Sequence, residues 1–145
     1  MIKTMIAQGY PEHFLAPMRE ELTRIGFEEL RTPELVDAAI NRPGTTMIVV
    51  NSICGCAAGK ARPGIATALQ SGTQPDHLGT VFAGGDIDAT ARAREHFAPF
   101  PPSSPSVALI KDGKLVYMME RREIEMNGPD GIAARLRAAL DQHCA

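Results

Sequence analysis

Two cysteines stand one glycine apart, Cys54 and Cys56, in the stretch MIVVNSICGCAAGKARPG at residues 47–64. There an apolar run gives way to small residues and then to Lys60, Arg62 and Pro63. Two thiols at that spacing can exchange with other disulfides, supply half of a metal site, or simply pack as small buried residues. A structural zinc site needs four ligands, commonly as two spaced pairs. Beyond the pair the chain offers only Cys144 and the scattered His13, His77, His96 and His143, so no metal is expected. Nor is a crosslink needed for stability, because 145 residues with 44% hydrophobic content can build a core unaided.

In open α/β sheets, functional groups collect where strands end and helices begin, and the elements around the pair place it at such a junction. Thr45 to Val50 is a dense β-branched apolar run, too short for a helix and without alternation, as expected of a strand buried on both faces. Ala57 to Gln70 reads as a helix in which Pro63 removes one hydrogen bond and introduces a kink. A thiol at the helix start meets unpaired N–H groups and the positive end of the helix dipole, so Cys54 is expected to have a depressed pKa. Lys60 and Arg62 either add to that effect or form a solvated face. Gly55, without a β-carbon, lets the backbone accommodate the small ring that a Cys54–Cys56 disulfide would close.

Upstream, residues 11–25 place Phe14, Leu15, Met18, Leu22 and Ile25 on one face of an amphipathic helix ended by Gly26. FEELR reads as a short strand, and Thr32 with Pro33 opens a helix through Leu35, Val36, Ala39 and Ile40. Downstream, GTVFAGG is a second core strand. Asp86 then caps a helix whose buried positions are expected at Ile87, Ala91, Ala93 and Phe97. The loop APFPPSSPS leads into a hairpin, VALI and LVYMM around KDGK. A last helix opens at Asn127, Gly128 and Pro129, buries Ile132, Leu136 and Leu140, and runs to Cys144. This order predicts one α/β domain over residues 1–145, with a central mixed β-sheet flanked by helices and an N-terminal helical extension.

Charge narrows the partners. Seventeen acidic residues against fifteen basic give a net charge of −2 with no block of like sign, so nucleic acid is not an expected partner. The opening MIKTMIAQGYPEHF lacks a continuous apolar core, and no later run approaches the roughly 20 apolar residues of a membrane span. A cytoplasmic protein without membrane contact is expected, and in a reducing compartment closely spaced cysteines are more often catalytic or metal-binding than structural.

Pro105 is the other informative residue. X-Pro bonds in folded proteins are cis only about 5% of the time, but a proline opening a strand beside a redox pair is a place where a cis bond can expose the preceding backbone to a bound disulfide.

A strand ending at a cysteine pair, a helix carrying Pro63 and SPSVALIKDGKLV after it together resemble the thioredoxin fold with its active-site helix and cis-proline loop. VVNSICGCAAGKARP, VFAGGD, PPSSPSVALIKDGK and PMREELTRIGFEELRTPEL are similar to segments of the bacilliredoxin family over nearly the whole chain. That resemblance implies a thiol–disulfide oxidoreductase that removes bacillithiol from protein mixed disulfides, with no bound cofactor and bacillithiol as co-substrate. It further implies Cys54 as nucleophile and Cys56 as its partner; position agrees, since the first cysteine is expected at the exposed cap, whereas the second enters the helix and should be less accessible. Ser104 and Pro105 fall at the substrate-facing loop. Two other readings remain compatible with the residues: a general disulfide isomerase or reductase, and a noncatalytic metal or iron–sulfur carrier. Cys144 has no part in this scheme and reads as a thiol near a frayed terminus.

Overall fold

The structure is a computed structural model and describes residues 10–53, 55–70 and 72–144. In chain order its elements are α1 (Glu12–Thr23), β1 (Glu28–Glu29), α2 (Pro33–Ile40), β2 (Thr45–Asn51), α3 (Gly55–Ala68), β3 (His77–Phe82), α4 (Ile87–His96), β4 (Ser106–Lys111), β5 (Lys114–Met119), α5 (Arg121–Glu125) and α6 (Pro129–Cys144).

Among the described residues one five-stranded sheet runs in the order β1, β3, β2, β4, β5. The strands β1, β3 and β2 are parallel, whereas β4 is antiparallel to both β2 and β5. This is the mixed α/β sheet the sequence predicts. Every residue of β2 is buried, because helices cover both of its faces. Side chains of a strand alternate between faces. Met47 and Val49 accordingly join Val107 and Leu109 in a core with Ala61 and Ile65 of α3 and Leu136 and Leu140 of α6. Ile48 and Val50 join Ala108 and Ile110 on the other face, against Val36 and Ile40 of α2 and Ala93 of α4. Between β4 and β5, Asp112 and Gly113 both take positive φ, 50° and 84°, the backbone that a two-residue Asp-Gly hairpin turn requires.

The structure differs from the sequence expectation at several positions. In α1, Leu15 and Leu22 are buried, but Phe14 is exposed and stacks on Tyr10 at 6.2 Å. The third buried residue of that helix is Arg19. In α4 the buried positions are Ala89, Thr90 and Ala93, continued by Phe97, while Ile87 and Ala91 are exposed. Asp86 stands at the N-cap of α4 without making a side-chain cap bond. Its carboxylate instead accepts from the Phe82 N–H at 3.0 Å and from Arg19 at 2.8 and 2.9 Å, which ties α1 to the end of β3. The helix α3 contains Pro63, as the sequence predicts, but ends at Ala68 rather than at Gln70. The short α5, absent from the sequence reading, fills the turn between the hairpin and α6.

Candidate active site

Cys54 lies outside the described residues. Its neighbours on both sides are described, and they define the junction. The last residue of β2 is Asn51, and α3 begins at Gly55. The chain therefore leaves the sheet at Asn51 and is helical from Gly55.

That passage is anchored. The Asn51 side chain accepts from its neighbour's backbone, Ser52 N–H, at 2.9 Å and donates to the Met18 carbonyl of α1 at 3.1 Å. Arg62, two turns into α3, reaches back toward the strand. Its Nη1 donates to Asn51 Oδ1 at 3.1 Å and to the Ser52 carbonyl at 2.9 Å, and its Nε pairs with Glu21 of α1 at 3.1 Å. With its side chain only 10% exposed, Arg62 is a largely enclosed strut rather than part of a solvated face. Its contacts fix the two residues that lead into the cysteine pair.

Cys56 stands in the first turn of α3 as an exposed free thiol. The expectation that the second cysteine would be withdrawn into the helix is corrected: Ala57 and Ala58 face the core and Cys56 faces solvent. A β-carbon built at Gly55 would meet nothing within 4 Å, so packing does not account for glycine between the cysteines. Around Cys56 opens a cleft of about 390 Å³, lined by Gly55, Cys56, Ala57, Lys60, Arg121 and Glu125. Lys60, one turn beyond Cys56, donates from Nζ to the Glu125 carbonyl at 2.9 Å.

Sheet register brings the proline loop to the same place. Ser106, the first residue of β4, pairs antiparallel with Val50, so Ser104 and Pro105 arrive beside the carboxyl end of β2. The Ser104–Pro105 bond is cis, and so is Ala98–Pro99 earlier in the loop. Pro105 is buried and Ser104 half-buried. The Ser104 carbonyl accepts from Arg121 Nη1 at 3.3 Å, and Ser103 Oγ accepts from the Arg121 N–H, also at 3.3 Å. Arg121 therefore links the proline loop to the cleft that contains Cys56, while its Nε reaches Glu125 Oε2 at 3.3 Å.

The sequence reading missed Arg121 and Glu125. The available signal was the spacing of Glu120 and Glu123 in ERREIE, where the Glu120 N–H donates to Glu123 Oε1 at 3.4 Å. A glutamate three residues in that reaches back to the cap N–H marks a helix start, but glutamate is not among the favoured cap residues, so the pattern is faint in sequence. Among the described residues no group of three or more His, Cys, Asp or Glu is placed to hold a metal ion. No helix among them is long and apolar enough to cross a membrane.

Solved structures similar to this chain include thioredoxins. That of Malassezia sympodialis matches with a TM-score of 0.59 at 15% identity, over 83% of this chain and 92% of its own. Fasciola hepatica thioredoxin matches with a TM-score of 0.57 at 15% identity, over 81% and 99%. The fold is thioredoxin-like. Residues 10–144 match the family described as disulphide isomerase. A bacilliredoxin of Cytophaga hutchinsonii is 53% identical over 92% of this chain and 98% of its own length. One of Geobacillus kaustophilus is 57% identical over 87% of each, and one of Koribacter versatilis 55% identical over 93% and 94%. Fold and relatives together define a thiol–disulfide oxidoreductase. Within that class, the chain belongs to the bacilliredoxin family.

Proposed function

We propose that this enzyme removes bacillithiol from protein cysteines, using Cys54 as nucleophile and Cys56 as the resolving thiol. The observation that carries the reading is the convergence of three features: the strand-to-helix passage ending at Gly55, the exposed Cys56 thiol, and the loop of Ser104 and Pro105 delivered by the pairing of Ser106 with Val50. The name shared by the relatives supports bacillithiol as the thiol removed. Cys54 thiolate attacks the bacillithiol sulfur of the mixed disulfide, forming a Cys54–bacillithiol disulfide and expelling the client thiolate, which takes a proton. Cys56 thiolate then attacks the Cys54 sulfur, closing the CGC disulfide and expelling bacillithiol thiolate. Two electrons pass from the pair to the client disulfide, and an external thiol returns them. Alternatively, a second bacillithiol molecule resolves the intermediate, giving bacillithiol disulfide and the reduced pair. Ser104 and Pro105 form the surface against which the client chain lies.

The test is to incubate the reduced protein with a client carrying bacillithiol and one carrying glutathione, and to locate adducts by mass. The expected result is released client thiol, a bacillithiol adduct on Cys54 that accumulates in Cys56→Ser, and no adduct transfer in Cys54→Ser. Full activity of Cys54→Ser with a dead Cys56→Ser would reverse the two roles. Failure to release either thiol would sink the reading.

A second reading is favoured by the description of the matched family, disulphide isomerase. On it, the same pair rearranges client disulfides, and the protein should refold a scrambled substrate with no bacillithiol present.

A further inference from the structure

The cleft beside Cys56 contains a cation that the exchange chemistry described above does not use. Lys60 is half-buried, and its ammonium is held in place by a backbone carbonyl, that of Glu125 at 2.9 Å. Among the described residues no carboxylate lies within ion-pairing distance of it. An ammonium has three donors, of which the Glu125 carbonyl takes one. By contrast, Arg19, Arg62 and Arg92 each pair with a carboxylate, that of Asp86, Glu21 and Asp37 respectively. The side chain of Glu125, which also lines the cleft, is engaged by Arg121. Lys60 thus presents a fixed, uncompensated positive charge one helical turn from Cys56, where residues at i and i+4 share a face.

We infer that Lys60 selects the small-thiol half of the mixed disulfide by its charge, binding a carboxylate on that group. The inference rests on the exchange reading above and adds the class of adduct the site prefers. A cleft of about 390 Å³ matches a small-molecule ligand rather than a folded chain. The client polypeptide is left to the Ser104 and Pro105 side of the site, and the anion occupies the Lys60 side. A carboxylate there gains a charge-assisted hydrogen bond from an ammonium that the Glu125 carbonyl has already oriented.

The experiment uses the full chain, reduced, and one client peptide whose single cysteine carries in turn 3-mercaptopropionate, 2-mercaptoethanol or cysteamine. These adducts are close in size and carry negative, no and positive charge. Release of the client thiol is expected to follow that order in kcat/KM, with about a fivefold step from neutral to anionic at low salt. Added salt should compress the step. Lys60→Gln should bring the anionic-to-neutral ratio close to one, and Lys60→Arg should restore it. Using a ratio separates charge selection from any general effect of the substitution on thiol reactivity or folding. Equal rates for all three adducts in the unmodified protein, or a ratio that survives Lys60→Gln, would overturn the proposal while leaving the exchange reading intact. Absence of release even from the neutral adduct would instead defeat the exchange reading on which it rests.

Discussion

A guanidinium enclosed as fully as that of Arg19 must be neutralised where it lies. Asp86 does so with two hydrogen bonds at 2.8 and 2.9 Å, Glu12 and Glu29 add ion pairs at 2.8 and 3.1 Å, and the Phe82 ring lies 5.3 Å away. Burial alone would lower the Arg19 pKa, but the hydrogen bonds and charge of Asp86 outweigh that, and the net shift is upward. The guanidinium therefore stays charged at every pH at which the protein folds. Nothing near Arg19 in sequence announces this role, because Asp86 is 67 residues away and charged residues within an amphipathic pattern are ordinarily its wet face. Removing one partner of a buried pair leaves the other charge stranded, so Arg19→Met is expected to cost about 3–5 kcal/mol in urea denaturation. The penalty should couple to Asp86. In the Arg19→Met background, Asp86→Asn should cost less than it does alone, because the stranded carboxylate is then gone. Additive losses would mean that the two residues stabilise the fold independently.

At the scale of elements, the site depends on how closely α3 lies against α6. A β-carbon built at Gly64 would stand 2.7 Å from Ile132 Cγ2, 2.9 Å from Ile132 Cβ and 3.1 Å from the Pro129 carbonyl. Two of those contacts are with a branched side chain near its root and with backbone, which cannot swing aside. Gly64→Ala is accordingly expected to lower stability by about 1–3 kcal/mol, the usual cost of overpacking, read as a lower midpoint in thermal or urea unfolding. An unchanged midpoint would mean that the two helices separate freely. The sequence revealed α3 and its strand readily, since Thr45–Asn51 has the composition of a strand covered on both faces and small residues follow it directly. It could not phase α4. Alanine stands at 89, 91 and 93 alike, so hydrophobicity gives no contrast between the face that packs and the face that does not. The tertiary surface chose 89, 93 and 97, leaving Ile87 in solvent. The site was legible to the extent that its residues lie at chain junctions: the cysteine pair after β2 and Pro105 before β4. Arg121 and Glu125 were hidden because they reach the cleft through α5, a helix of five residues with too short a pattern to show periodicity.

At the scale of the whole molecule, the third cysteine lies at the far end of the helix pair α3 and α6 from Cys56. The helices α3 and α6 run alongside each other in the same direction. Lys60 meets Glu125 just before α6, Gly64 abuts Pro129 and Ile132, and Arg137 donates to the Thr67 carbonyl at 2.9 Å. From Cys56 to Thr67 the helix advances about 16 Å, and from Arg137 to Cys144 about 10 Å more. Cys144 is partly buried against the core that α3 and α6 share with the sheet. A disulfide requires α-carbons within about 7 Å, so within one folded chain Cys144 cannot reach the CGC segment. Oxidation of the monomer should give no peptide joining Cys144 to that segment, and Cys144→Ser should turn over mixed disulfides at the rate of the unmodified protein. A link found in the monomer fraction by mass mapping would require α6 to leave its place against α3, and with it the packing that positions Cys56. If links appear only in dimers, Cys144 joins separate molecules, and resolution of the enzyme intermediate stays with Cys56 or with a small thiol.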